Sequence, residues 1–224
     1  MANQTLNLFP WHVLNEHRGS KGCVLFLPGR DNIGLVMGKM YYAAGLRQPL
    51  LISITPKNLA WYPLPNGAND QQLALAGQET ARLTIDDVVQ KIESKYEIPH
   101  SRIVLCGYSA GGVMAIQVAS HSIEPFAGVV VHAGAILDPS NLPPCQCPKT
   151  PFLLTHCQDD VIFEWCERYV PMRKILDAQG YWIYVLERRF GGHMVCDQDV
   201  NISQLFIDAC LKGSIDGRET AAAA

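Results

Sequence analysis

Residues 102–115 constrain this chain more tightly than any other stretch. Ile103-Val104-Leu105-Cys106 is a short apolar run that reads as a buried strand. Gly107-Tyr108-Ser109-Ala110-Gly111 follows at once, and Val113-Met114-Ala115-Ile116-Gln117-Val118-Ala119 then reads as a helix. A serine at the tip of a strand-to-helix turn sits in a strained backbone, so the positions two before and two after it must be tiny. Gly107 and Gly111 meet that need and complete a G-x-S-x-G pattern. The helix behind the serine aims its first N–H groups at the place where negative charge develops in acyl transfer. Alone the pattern arises by chance; between a strand and a helix it marks a nucleophile.

The rest of the chain alternates in the same way. Residues 1–22 read as an opening strand or hairpin with a polar turn at 15–19. Apolar runs at 23–27, 50–54, 126–132, 152–156 and 181–186 read as strands, and 35–45, 71–96, 163–179 and 200–211 carry helical spacing. Two loops, 55–70 and 135–150, are rich in proline, and loops of that length are usually functional or mobile. The alternation predicts an α/β fold: one domain over residues 1–212, with a mainly parallel central sheet, helices on both faces and no large cap. Residues 213–224, ending in four alanines, read as a frayed or artificial tail. In parallel sheets ligands bind at the carboxyl ends of the strands, and the candidate chemical groups of this chain fall there, after separate strands.

Composition narrows the function classes. A net charge of −3 offers no basic field for nucleic acid. No apolar run reaches the roughly 18 to 20 residues of a membrane span, and the first ten residues lack the basic start and apolar core of a signal peptide. The expected location is cytoplasmic. The eight cysteines then read as reduced thiols, and Cys145-Gln146-Cys147 is spaced too closely for a zinc pair. No metal or cofactor is expected.

A serine hydroxyl is a poor nucleophile at neutral pH. It needs a base to take its proton, a carboxylate to orient that base, and donors for the oxyanion. In one known chain order these partners come as serine, acid, histidine. Ser109, then Asp159 or Asp160, then His193 follow that order, each just after a strand. Gly191 and Gly192 give the loop freedom to bring the His193 ring over the serine. His156 reads as a structural strand-end residue, and His132 has no evident role.

These stretches together resemble the phospholipase/carboxylesterase family of α/β-hydrolases, which includes bacterial carboxylesterases and acyl-protein thioesterases. The likeness spans roughly residues 20–210. Gly107-Tyr108-Ser109-Ala110-Gly111-Gly112 is similar to the family's G-F-S-Q-G-G/A, Leu27-Pro28-Gly29-Arg30-Asp31 to its L-H-G-x-G loop, and His156-Cys157-Gln158-Asp159-Asp160 to its H-G-x-x-D segment. Trp61-Tyr62-Pro63 and Gly191-Gly192-His193 also have counterparts. The resemblance implies Ser109, Asp160 and His193 as the catalytic residues, and the backbone N–H groups of Arg30 and Ala110 as oxyanion donors. Read from the two proline-rich loops rather than from the resemblance, Trp61, Tyr62 and Leu142 would line the substrate pocket. This chain departs from the family pattern at Pro28, Asp31, Ala110 and Cys157, where histidine, glycine, glutamine and glycine are usual. The implied partner is a small-molecule ester or thioester, without nucleic acid, and a homodimer is left open. The loops 55–70 and 135–150 are stiffened by proline and carry no lid-like amphipathic stretch, which predicts a fixed pocket and short to medium acyl chains. The competing expectation is a catalytically silent fold of the same kind that binds a small ligand or a partner.

Overall fold

Apolar runs buried end to end are the reason this chain makes a parallel sheet. The computed structural model describes residues 9–15, 19–64, 68–148 and 150–215. Residues 16–18 of the polar turn and the tail from 216 onward lie outside them. Strands β1 (Trp11–Val13), β2 (Cys23–Leu27), β3 (Leu50–Ile54), β4 (Ile103–Tyr108), β5 (Gly128–His132), β6 (Pro151–Cys157) and β7 (Trp182–Arg188) form a seven-stranded sheet in the order β1-β3-β2-β4-β5-β6-β7. Only β1 runs antiparallel, pairing Trp11 with Ile54 and Val13 with Ile52. Every residue of β2, β3, β5 and β6 is buried, as expected of strands covered on both faces.

Side chains alternate across the sheet and feed two cores. Leu25, Ile103, Leu105, Val129 and Phe152 point to one face, where they meet α2 (Ala68–Tyr96), α3 (Ala110–His121) and α4 (Val170–Ala178) through Ile85, Val113 and Leu176. Val24, Phe26, Val104, Val130 and Leu153 point to the other, against α1 (Gly34–Ala43) and α5 (Asp197–Lys212) through Tyr41, Phe206 and Ile207. α3 is buried from Ala110 to Ser120, sandwiched between the sheet and α2. This is the α/β-hydrolase architecture in a single domain.

Two elements differ from their sequence expectations. The helix read over 71–96 begins at Ala68. The helix read over 163–179 divides into a π-helical turn, Trp165–Tyr169, and α4. In the turn the Tyr169 N–H reaches back five residues to the Glu164 carbonyl at 3.3 Å. Pro171, with no N–H to give, interrupts the ladder and resets it as the second residue of α4.

Candidate active site

Because six strands are parallel, their carboxyl ends lie along one edge of the sheet, and the loops leaving β2, β4, β6 and β7 meet there. Ser109 leaves β4 with φ 54° and ψ −119°, a conformation non-glycine residues rarely adopt. Sterics hold it there. A Cβ at Gly107 would come within 2.3 Å of the Gly111 carbonyl oxygen, and one at Gly111 within 2.0 Å of the Leu27 carbonyl oxygen. The Ser109 N–H donates to the His132 carbonyl at 2.9 Å, tying the elbow to β5.

The His193 Nε2 lies 2.7 Å from the Ser109 Oγ, and its Nδ1 lies 2.7 Å from the Asp160 Oδ2. An ionised carboxylate can only accept. The imidazole therefore carries its proton on Nδ1 and turns the Nε2 lone pair to the serine O–H. The Asp160 side chain is fully enclosed. Its Oδ1 accepts the N–H groups of Ile162 and Phe163 at 2.8 and 2.9 Å, so both oxygens are satisfied. His156, whose pKa is lowered by burial, donates from Nε2 to the Phe163 carbonyl at 2.8 Å and stacks on Tyr169. It thereby holds the turn that supplies Asp160 with its two donors.

Asp159, the adjacent carboxylate, points elsewhere. It is exposed and accepts the N–H groups of Gly192 (2.8 Å) and Gly191 (3.2 Å), two residues with φ 58° and 135°. Those bonds, led by Gly192, lower its pKa. Three further contacts hold the same loop: Tyr108 donates its hydroxyl to the His193 carbonyl (2.7 Å), and Arg188 donates to the Met194 carbonyl (3.2 Å) and to the fully buried Asp199 (2.7 Å). The double aspartate was visible in sequence; the clamp made by its first member was not.

Ser109, His193, Arg30 and Ala110 border one cavity of about 800 Å³. Ala110 is the first residue of α3, so its N–H has no acceptor inside the helix. In the loop after β2 the Asp31 N–H is bound to the Leu59 carbonyl and the Asn32 N–H to Gly29, while the Arg30 N–H has no partner among the described residues. Two such amides beside a serine can hold an oxyanion.

Of the three pocket residues read from sequence, only Tyr62 lines this cavity. Trp61 is a correction: it is buried, and its indole N–H donates to the Pro28 carbonyl at 2.7 Å, bracing the loop that carries Arg30. Leu142 is a second correction: it packs partly buried against the core and is not among the residues that border the cavity. The apolar lining comes instead from Leu64, Leu75, Leu137, Ile162 and Phe163, and a buried glutamine, Gln78, also borders it. Leu64 and Leu137 come from the two loops the sequence pointed to. Ile162 and Phe163 follow Asp160, and no periodicity marks their direction.

Among the described residues no helix is long and apolar enough to cross a membrane, and all eight cysteines are free thiols. No curated protein matches the chain in sequence. Solved structures with the same fold include esterase PE8 (21% identity, TM-score 0.76, covering 91% of this chain and 99% of that one). A phospholipase/carboxylesterase from Dyadobacter fermentans is similar (17%, 0.78, 89% and 96%), as is Zea mays acyl-protein thioesterase 2 (15%, 0.74, 91% and 99%). The sequence profile described as Phospholipase/Carboxylesterase matches residues 19–211. This chain belongs to that family and is a carboxylic ester hydrolase.

Proposed function

We propose that the protein hydrolyses carboxylic esters, and thioesters of similar shape, of short to medium acyl chains through a Ser109–His193–Asp160 triad. Ser109 Oγ attacks the ester carbonyl as His193 Nε2 takes the hydroxyl proton, and Asp160 stabilises the imidazolium that forms. The Arg30 and Ala110 amides receive the oxyanion. Collapse of the tetrahedral intermediate expels the alcohol or thiol, protonated by His193, and leaves an acyl-Ser109. Water, deprotonated by His193, attacks the acyl carbonyl; release of Ser109 Oγ, which recovers its proton from His193, frees the acid.

The observation that carries this reading is the unbroken hydrogen-bond chain from Oγ to an enclosed, fully satisfied carboxylate, 2.7 Å at each histidine nitrogen. Chain length is argued from the cavity: each methylene buried adds about 0.8 kcal/mol only while the apolar lining of Leu64, Leu75, Leu137, Ile162 and Phe163 lasts. A series of p-nitrophenyl esters from acetate to palmitate, kept monomeric, tests it. The optimum is expected between acetate and octanoate. A steady rise to palmitate with activation at a lipid interface would contradict it.

A further inference from the structure

One side chain bordering the cavity has no part in the ester chemistry. Helix α2 buries Ala81, Ile85, Val88, Val89 and Ile92 against the core, and Ala74, also buried, extends that stripe to the cavity. Gln78 stands on that stripe, four residues after Ala74 and three before Ala81. It is only 2% exposed, yet its carboxamide oxygen has no hydrogen-bond partner among the described residues. Of the buried side-chain atoms left unpaired there, it alone belongs to a residue that borders the cavity with Ser109 and His193. Buried polar atoms are almost always paired, and an unpaired one calls for an explanation. A methionine of the same length would fill the space without that penalty.

Resting on the esterase reading of this cleft, we propose that Gln78 is a specificity-determining residue. Its carboxamide hydrogen-bonds a polar group on one arm of the substrate, so the preferred ester carries a secondary amide or a hydroxyl rather than a plain alkyl chain. A carboxamide offers both a donor and an acceptor, and amides and hydroxyls answer it whichever way round it sits. Sites built to hydrogen-bond a substrate group discriminate far better than apolar walls do. Here the preference should be on the order of tenfold.

Two pairs of esters matched in chain length test this. The p-nitrophenyl ester of N-acetyl-β-alanine is compared with p-nitrophenyl hexanoate on the acyl side, and acetamidopropyl butyrate with hexyl butyrate on the alcohol side. Wild type should favour the amide member of at least one pair by on the order of tenfold in kcat/KM. Gln78→Met should bring that ratio within about twofold of unity while Ser109 still reacts with a fluorophosphonate. If Gln78 only packed, Gln78→Met would change the melting temperature and scale both members alike, and the ratio would stay. An unchanged ratio, or equal rates within both pairs in wild type, overturns the proposal while intact labelling leaves the enzymatic reading standing. No labelling and no hydrolysis of any ester overturns both.

Discussion

The proposed nucleophile, Ser109, and its proposed base, His193, are held in place by different physics. Ser109 sits at the end of a central strand, between two glycines whose neighbours leave no room for a methyl group, at the head of a helix buried from Ala110 to Ser120. Its position is enforced by packing and backbone sterics. His193 follows the edge strand β7 in a loop whose Phe190 and Met194 are 78% and 63% exposed. Polar clamps hold that loop: Asp159 on the glycine N–H groups, Arg188 between Met194 and Asp199, and Tyr108 on the His193 carbonyl. The elbow cannot move without disturbing the core, whereas the histidine loop can be loosened one hydrogen bond at a time.

The largest effect expected separates the two aspartates. In Asp160→Asn the single carbonyl oxygen would stay with the Ile162 and Phe163 N–H groups, turning an N–H₂ toward His193 Nδ1. The imidazole must then accept there and carry its proton on Nε2, facing the serine. Turnover should fall about 10⁴-fold with binding little changed. Asp159→Asn keeps one of two exposed clamp bonds, so its loss should be about tenfold or less. Steady-state kinetics on p-nitrophenyl butyrate reads both, and the reverse pattern would exchange the two roles. Because its native pKa is depressed, Asp159 contributes its clamp above the ordinary carboxylate range and loses it only as pH falls through the lowered value.

Substituting glycines compares the two regions by stability. Gly111→Ala sets a methyl group 2.0 Å from the Leu27 carbonyl oxygen, and neither backbone can yield. We expect about 3 kcal/mol or more of destabilisation, a fall in Tm of about 10 °C. Gly192→Ala meets nothing within 4 Å and strains only its φ of 58°. That should be worth about 1 to 2 kcal/mol and a few degrees. Equal falls in a thermal melt would erase the distinction between packed elbow and clamped loop.

A pH-dependent effect is expected on the scaffold beneath the elbow. His132 bonds Tyr41 (2.6 Å) and Thr155 (2.7 Å) in the core, and burial lowers its pKa to about 4. The unfolded chain takes a proton there below about pH 6.5 that the native state refuses until about 4, so stability falls as pH drops through that window. The slope is up to about 1.4 kcal/mol per pH unit. Asp86, raised to about 6 chiefly by burial, works in the opposite sense. The useful quantity is therefore the difference between wild type and His132→Gln. From pH 6.5 to pH 5 by urea unfolding, wild type should lose about 2 kcal/mol more than the variant. Equal losses would mean that His132 is not held neutral by the fold.

Features that rest on local sterics were legible in the sequence. Gly107 and Gly111 around Ser109, the mostly apolar runs of β2 to β6, and the chain order of serine, acid and histidine could all be read directly. Features that rest on side-chain direction could not. Trp61 looked like a pocket wall because it stands in a loop beside Tyr62, but its N–H needed a buried acceptor and found the Pro28 carbonyl. Residue spacing left Asp159 and Asp160 equivalent, and only resemblance chose between them. In space, one faces the ring of His193 and the other the backbone of its loop. Gln78 lies on a helical stripe that periodicity assigns to the core, and it needed the cavity to make it notable.

The central claim is that Ser109 is a nucleophile primed by His193. Wild-type protein, His193→Ala and Ser109→Ala should each be treated with a fluorophosphonate and the labelled peptide identified by mass spectrometry. The account predicts one adduct per chain, on Ser109. It also predicts a rate lower by on the order of 10³-fold or more in His193→Ala and no adduct in Ser109→Ala. An adduct on another residue, or a Ser109 that stays unlabelled in the folded wild-type protein, would contradict it.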